Sequence, residues 1–323
     1  MADINLAQTA VAVINATLRG AVPITLGAMS GIVSERSGIV NIGIEGMMLV
    51  GAFSQFMANS YLSAPDVAPF LQAEPVRLGL SIVAALFVGG LMAMLHATLS
   101  IRYKVDQIIS GTVINIFALG ITGYLYVAQA TTLGGLPVMI QNPFTQDNGF
   151  LYYIGQVLFG KDIMIYATIL IVLGLGFALF RTTWGLRTRA VGENPRAADT
   201  LGINVHQLQY SNLFLSGMLA GFAGAALTAP GITFDRGMSN GQGFIALAVM
   251  IFGMWRPSRA FFGALLFGLA TALQSQLQLG GSERFIPHQF VGMLPYLLTL
   301  VVLAGFVGRA RPPAHVGQPY SVE

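Results

Sequence analysis

The sequence predicts an all-α integral membrane protein, a bundle of about 8–10 transmembrane helices with broken or re-entrant segments. Three observations carry this. First, 54% of the 323 residues are hydrophobic and 9% are charged, against about 25% charged in a soluble globular domain. The mean hydropathy is +0.70. So few charges cannot cover a water-facing surface, and lipid is the solvent that such a surplus of apolar side chains fits. Second, the apolar residues lie in long blocks. Ile163 to Phe180 and Phe290 to Val307 carry no charge, and about 20 helical residues cross a hydrocarbon core. Third, the short dyad-alternating segments of a membrane barrel do not occur, so helices are the remaining way to satisfy a backbone in lipid.

Apolar helical segments are expected near 7–33, 39–58, 78–99, 108–128, 162–180, 208–228, 241–255, 259–279 and 289–307. The first is interrupted by Arg19, Gly20 and Pro23, and reads either as two pieces or as one broken helix. Asp3 precedes it and no basic residue does, so it is expected to be retained rather than cleaved as a signal. In the loop 129–161, the apolar stretch Phe150 to Phe159 is too short to span. Residues 1–310 are read as one membrane domain, and 311–323, rich in Pro and Gly, as a disordered tail.

Basic residues set the orientation. Arg102 and Lys104, the group Arg181, Arg187, Arg189 and Arg196, the pair Arg256 and Arg259, and Arg309 with Arg311 fall on one side by parity. That side is expected to be cytoplasmic. The loops 59–77, 129–161, 229–240 and 280–288 are poorer in basic residues and are expected to face outward. A net charge of +3, spread among loops, argues against nucleic acid as a partner.

The run Ser37 to Phe53 contains Glu45 within an apolar segment, with Asn41 four residues earlier on the same helical face and Gly43 and Gly46 alongside. An unpaired charge at a helix centre costs about 2.5–3.5 kcal/mol on insertion scales. Two readings stay open: a broken helix that lines a pathway, or a carboxylate held by structural hydrogen bonds. The stretch Arg181 to Gln207 is the largest polar block. Asn194 suits a helix N-cap, Pro195 the first helical position and Gly202 the C-terminal cap. A compact capped helix there reads as a docking element or as a solvated connector.

Weaker signals follow. Thr112, Asn115, Leu119 and Thr122 fall near one helix face and suit either a pathway or helix–helix hydrogen bonding. Gly217, Gly221, Gly224 and Ala225 favour close helix packing. Asn240 and Gln242 open an apolar helix, as caps or as substrate contacts. There is no cysteine, and the histidines have no metal-site spacing. Gly155 to Asp162 resembles a P-loop but places Asp162 where Ser or Thr would hold magnesium. Nucleotide hydrolysis is therefore expected on another chain.

Glu193-Asn194-Pro195-Arg196-Ala197-Ala198, followed by Gly202-Ile203, resembles the coupling-helix signature of ABC importer permeases. Asn41 to Met48 (Asn-Ile-Gly-Ile-Glu-Gly-Met-Met) and Gly241 to Gly253 are similar to the permeases for branched-chain amino acids, ribose and nucleosides, in the wording of the nucleoside or simple-sugar branch. The resemblance implies a permease subunit, itself not an enzyme, in the bacterial inner membrane. It implies a second permease, identical or paralogous, two ATPase subunits that hold ATP and Mg, and an extracytoplasmic binding protein or lipoprotein. No cofactor is expected on this chain. The same resemblance assigns Glu193, Asn194, Pro195, Arg196, Ala197, Ala198, Gly202 and Ile203 to ATPase coupling. Asn41, Glu45, Asn115 and Gln242 are expected along the pathway of a nucleoside or simple sugar. An ion-coupled carrier with Glu45 as its site is the first alternative, and it leaves the block from Glu193 to Ile203 unexplained. An intramembrane enzyme is the second, and no serine elbow accompanies His96.

Overall fold

The computed structural model describes residues 6–128, 150–159, 162–279 and 310–321, with isolated positions between 290 and 301. Every element among them is helical: α1 (Leu6–Arg36), α2 (Ile44–Leu62), α3 (Pro69–Gln72), α4 (Glu74–Ala97) continuing into a π turn (Thr98–Arg102), and α5 (Gln107–Ala128). There follow α6 (Phe150–Leu158), α7 (Ile163–Arg181), α8 (Thr183–Glu193), α9 (Pro195–Thr200), α10 (Val205–Thr228), α11 (Gln242–Phe252) and α12 (Pro257–Leu279). Six helices among the described residues are long and apolar enough to cross a membrane, and the chain is a multi-pass membrane protein. The expected span 289–307 falls mostly outside the described residues, as does most of the loop 129–161. Within that loop the apolar stretch forms the nine-residue α6, about 14 Å long and too short to cross.

The bundle is built around α10, which packs against α1, α2 and α4. Small residues make this possible. A Cβ at Gly51 of α2 would stand 2.5 Å from the Gly221 carbonyl oxygen, and one at Gly90 of α4 would stand 2.6 Å from the Phe214 ring. Gly89 and Gly217 meet backbone to backbone, as do Gly224 and Met48. The small-residue face read from the sequence is therefore a packing surface, where helices attract by contact rather than by exclusion from water. On the periphery, α5 exposes Ile109, Val113, Ile116 and Phe117, and α7 exposes Leu170, Leu173 and Phe177.

Several expectations are corrected here. The segment 7–33 is one continuous helix despite Pro23. Proline lacks the N–H that would bond the carbonyl four residues back, so Arg19 loses its helical donor. The segment expected to be helical from 39 is unwound to Gly43, and α2 starts only at Ile44. Gly38 has φ +91°, where a side chain would be strained, and the freed backbone groups find side-chain partners. The helix expected to run 241–255 ends at Phe252, because Met254 and Trp255 both take φ +52°. The tail expected to be disordered is ordered over residues 310–321: it lies against α9 and the start of the unwound segment, with Tyr320 buried. Buried aromatic surface and backbone hydrogen bonds supply what the Pro- and Gly-rich composition lacks.

The packing gives a stability test. Gly221→Ala pushes a methyl into the Ala85 carbonyl and is expected to destabilise the detergent-solubilised protein by about 1–3 kcal/mol. Gly120→Ala on α5, where nothing lies within 4 Å, is expected to leave thermal unfolding unchanged or raise its midpoint. Equal midpoints for the two variants would contradict the packing account.

Candidate functional site

Glu45 sits in the first turn of α2, and its carboxylate reaches across to α11. Oε1 accepts the Gly241 N–H at 2.8 Å and Oε2 accepts the Gly243 N–H at 2.7 Å. These are orphan donors at the start of α11, so Glu45 caps that helix from another element and opposes its positive end. A Cβ at Gly243 would stand 2.6 Å from the Glu45 Cα, so this glycine is what lets the two elements meet. With 11 residues, α11 is about 16 Å long, half a membrane crossing. The pair is thus an unwound segment leading into α2, and a half-helix joined to it by one carboxylate.

The unwound segment is held group by group. Gln209 donates to the Ser37 carbonyl at 3.2 Å. Gln107 Oε1 accepts the Val40 N–H at 2.7 Å, and His96 Nε2 lies 2.9 Å from the Val40 carbonyl. A carbonyl only accepts, so His96 donates from Nε2, and a neutral ring then accepts from Ser110 through Nδ1 at 3.0 Å. Asn115 donates to the Ile42 carbonyl at 3.0 Å and accepts the Gly46 N–H at 2.7 Å. Asn41 is fully buried and donates to Ser216 Oγ at 3.2 Å, and Ser216 pairs with Ser30 at 2.9 Å. The Asn41 Oδ1 is buried with no hydrogen-bond partner among the described residues.

Beside this junction lies a cavity of about 430 Å³ bounded by α1, α7, α10, α11 and α12, within the range of about 300–1,000 Å³ typical of small-molecule sites. Its polar lining comes from Arg19, Asp162, Asn240, Gln242, Thr271 and Gln274. Arg19 and Pro23 both line it, so the stretch of α1 that is one hydrogen bond short faces this space. The Oε1 of Gln242 is buried with no hydrogen-bond partner among the described residues. Of the residues expected along a pathway, Gln242 lines the cavity, whereas Asn41, Glu45 and Asn115 do not: Asn41 and Asn115 bond around the unwound segment, and Glu45 caps α11. Asp162 also caps α7, accepting the Met164 N–H at 3.0 Å, which gives that residue a role unrelated to a P-loop. Among the described residues, Thr112 and Thr122 bond only carbonyls of their own helix. The sequence reading missed Thr271 and Gln274, although two polar residues one turn apart in an apolar helix are a usable signal.

At one end of the bundle the basic residues gather. The guanidinium groups of Arg36, Arg189 and Arg256 lie 5.9, 5.1 and 5.8 Å from the centre of the Phe180 ring, within cation–π reach. Here α8 is tied to α10, since Trp184 donates to Asn212 at 3.1 Å and Asn212 donates to Thr188 at 3.1 Å. Gly192 packs directly on the Arg36 carbonyl, where any side chain would collide. The short helix α9 follows. Asn194 accepts the Ala197 N–H at 3.0 Å, Pro195 opens the helix, and Gly202 closes it at φ +78°. Pro195 and Ala198 face inward, while Asn194, Arg196, Ala197, Thr200 and Gly202 are exposed. Leu201 is 81% exposed, an apolar side chain presented outward where α9 ends. Glu193 is exposed and accepts the Ala314 N–H at 3.2 Å; Ile203 packs beside the Val191, Ala198, Val205 and Tyr320 cluster.

The carboxylate cap is testable. Glu45→Gln keeps an acceptor for one glycine N–H but turns an amide NH₂ toward the other, and is expected to cost about 1.5–3 kcal/mol of stability. The measurement is thermal unfolding in detergent. A midpoint equal to that of the unaltered protein would remove the capping role.

Known proteins are similar in sequence to nearly the whole chain. Residues 13–303 match the family described as branched-chain amino acid transport system / permease component. The guanosine ABC transporter permease protein NupQ of Bacillus subtilis is 37% identical over 319 residues, covering 95% of this chain and 96% of that protein. The nucleoside ABC transporter permease protein NupC of Lactococcus lactis is 37% identical over 314 residues, covering 92% and 93%. A putative glucose ABC transporter permease protein, TsgC13 of Haloferax volcanii, is 32% identical over 325 residues, covering 94% and 93%. A half-helix capped from a second broken element, a polar cavity beside it and a capped surface helix among arginines thus sit in a chain matched over most of its length by permeases, and the chain belongs to the branched-chain amino acid transport system permease component family.

Proposed function

We propose that this chain is the transmembrane permease subunit of an ATP-driven ABC importer in the bacterial inner membrane, with nucleosides as its substrates. The arginine-rich end faces the cytoplasm, following the positive-inside rule. There α9, with Arg196, Ala197 and Leu201 outermost, seats against an ATPase subunit that holds ATP and Mg. A second permease, identical or paralogous, completes the pathway, and an external binding protein or lipoprotein delivers the ligand. The observation that carries this reading is α9 itself: short, capped at both ends and exposing Leu201. Such an element moves as a unit when its partner moves.

The nucleoside assignment is supported by the names of the relatives NupQ and NupC, and by a cavity whose amides and hydroxyl, beside the opposite charges of Arg19 and Asp162, suit a ligand rich in hydrogen-bonding groups. The glucose permease among the relatives favours a second reading, a simple sugar such as ribose, whose hydroxyls suit the same side chains.

Docking is tested by charge on the exposed face. In the assembled complex, Leu201→Asp combined with Arg196→Glu is expected to lower ATPase retention and ligand uptake by about ten-fold or more, with membrane insertion intact. Unchanged retention and uptake would remove the docking role. The substrate is tested by competition: labelled guanosine uptake falls with excess unlabelled nucleoside and persists with excess ribose. The reverse order would assign the pathway to sugars.

A further inference from the structure

The described C-terminal residues bridge two elements. On one side, His315 donates its backbone N–H to the Gly192 carbonyl at 3.0 Å, Ala314 donates to the Glu193 carboxylate at 3.2 Å, and the Tyr320 hydroxyl donates to Asp199 Oδ2 at 3.0 Å. The Tyr320 ring joins Val191, Ala198 and Val205 in a buried cluster and lies 5.6 Å from the His206 ring. On the other side, Gly317 donates its N–H to the Gly38 carbonyl at 3.1 Å, at the start of the unwound segment. Gly317 takes φ +82°, a turn that brings this N–H to Gly38. Burial and then the Asp199 carboxylate raise the Tyr320 phenol above its usual value, so it remains the donor in this bond at physiological pH.

Helix α9 has six residues, far fewer than a helix needs to persist on its own. It buries little more than Pro195 and Ala198. Something must hold it in place if it is to transmit force, and the segment that grips it is also bonded to Gly38. From Gly38 the hydrogen bonds run onward: Val40 to His96 and Gln107, Ile42 and Gly46 to Asn115, and Glu45 to the start of α11, whose Gln242 lines the cavity.

We infer that residues Pro313 to Tyr320 form a strut that locks α9 to the unwound segment of α2, with Tyr320 and Asp199 as positioning residues for the transfer of ATPase motion to the membrane centre. This rests on the docking role proposed for α9. The strut makes the C-terminal segment part of the coupling machinery rather than a passive end. Its effect falls on transport per ATP, because it joins α9 to the bundle without supplying the face that meets the ATPase.

The experiment uses the complete complex (ATPase subunits, both permeases and binding protein) in proteoliposomes. Ligand imported per ATP hydrolysed is measured together with ATPase retention. Tyr320→Ala, and a chain ended after Pro312, are expected to lower the transport-to-ATP ratio by about five-fold or more while the ATPase is retained. Tyr320→Phe keeps the ring in its cluster and loses the bond to Asp199, so a smaller fall in the same ratio is expected; it also serves as the readout if the shortened chain fails to assemble. An unchanged ratio in Tyr320→Ala and Tyr320→Phe overturns the strut. Loss of ATPase retention in those two variants also overturns it, because the segment would then belong to the docking surface. Failure of docking itself is read separately, from retention in the variant that combines Leu201→Asp with Arg196→Glu.

Discussion

The structure turns on the hydrogen bonds owed to an unwound stretch of backbone. Residues 37–43, five of them buried and two partly buried, carry main-chain donors and acceptors in between packed helices, where an unmade buried bond costs about 1–3 kcal/mol. Membrane proteins tolerate such backbone only where other groups take over. Here the substitutes come from three helices and the C-terminal segment: His96 from α4, Gln107 and Asn115 from α5, Gln209 from α10, and the main chain of Gly317. Each fixes one group of this stretch, Asn115 takes the Gly46 N–H as well, and together they fix where α2 begins. That position puts Glu45 opposite Gly241 and Gly243, and so determines where α11 begins.

Two consequences follow for how the molecule works. The half-helix and the unwound segment are not independent, since one carboxylate spans them. A displacement of either is felt by the other and by Gln242 at the cavity wall. At the arginine-rich end, α8 meets α1 through Gly192 and the Arg36 carbonyl, while α9 is reached through Tyr320 and the strut. The same network that satisfies the backbone therefore offers a mechanical route from the surface helix to the cavity. Small residues on α2, α4 and α10 provide the rigid frame against which such a route acts.

Much of this was legible in the sequence because it depends on local chemistry. The membrane class follows from the scarcity of charge, and the caps of α9 from Asn194, Pro195 and Gly202, whose preferences are set by neighbours in the chain. Glu45 stood out as a carboxylate among apolar residues. Its hydrogen-bond partners did not, because they lie almost two hundred residues away on main-chain atoms that carry no side-chain signal. For the same reason the unwinding before Ile44 was missed: Gln107 and Gln209 look like ordinary polar residues near helix ends until the fold brings them to Val40 and Ser37. The C-terminal segment was misjudged on composition. Its Pro and Gly content describes a chain with no structure of its own, and its order comes from tertiary contact through Tyr320.

The central claim is that side chains from other helices hold the unwound segment. Amide hydrogen exchange of Val40 and Gly46 in lipid nanodiscs tests it most directly. Both amides are expected to exchange as slowly as helical amides of α2, with Gly46 released by Asn115→Ala and Val40 by Gln107→Ala. Fast exchange at both positions in the unaltered protein, or protection indifferent to those two side chains, would contradict the account.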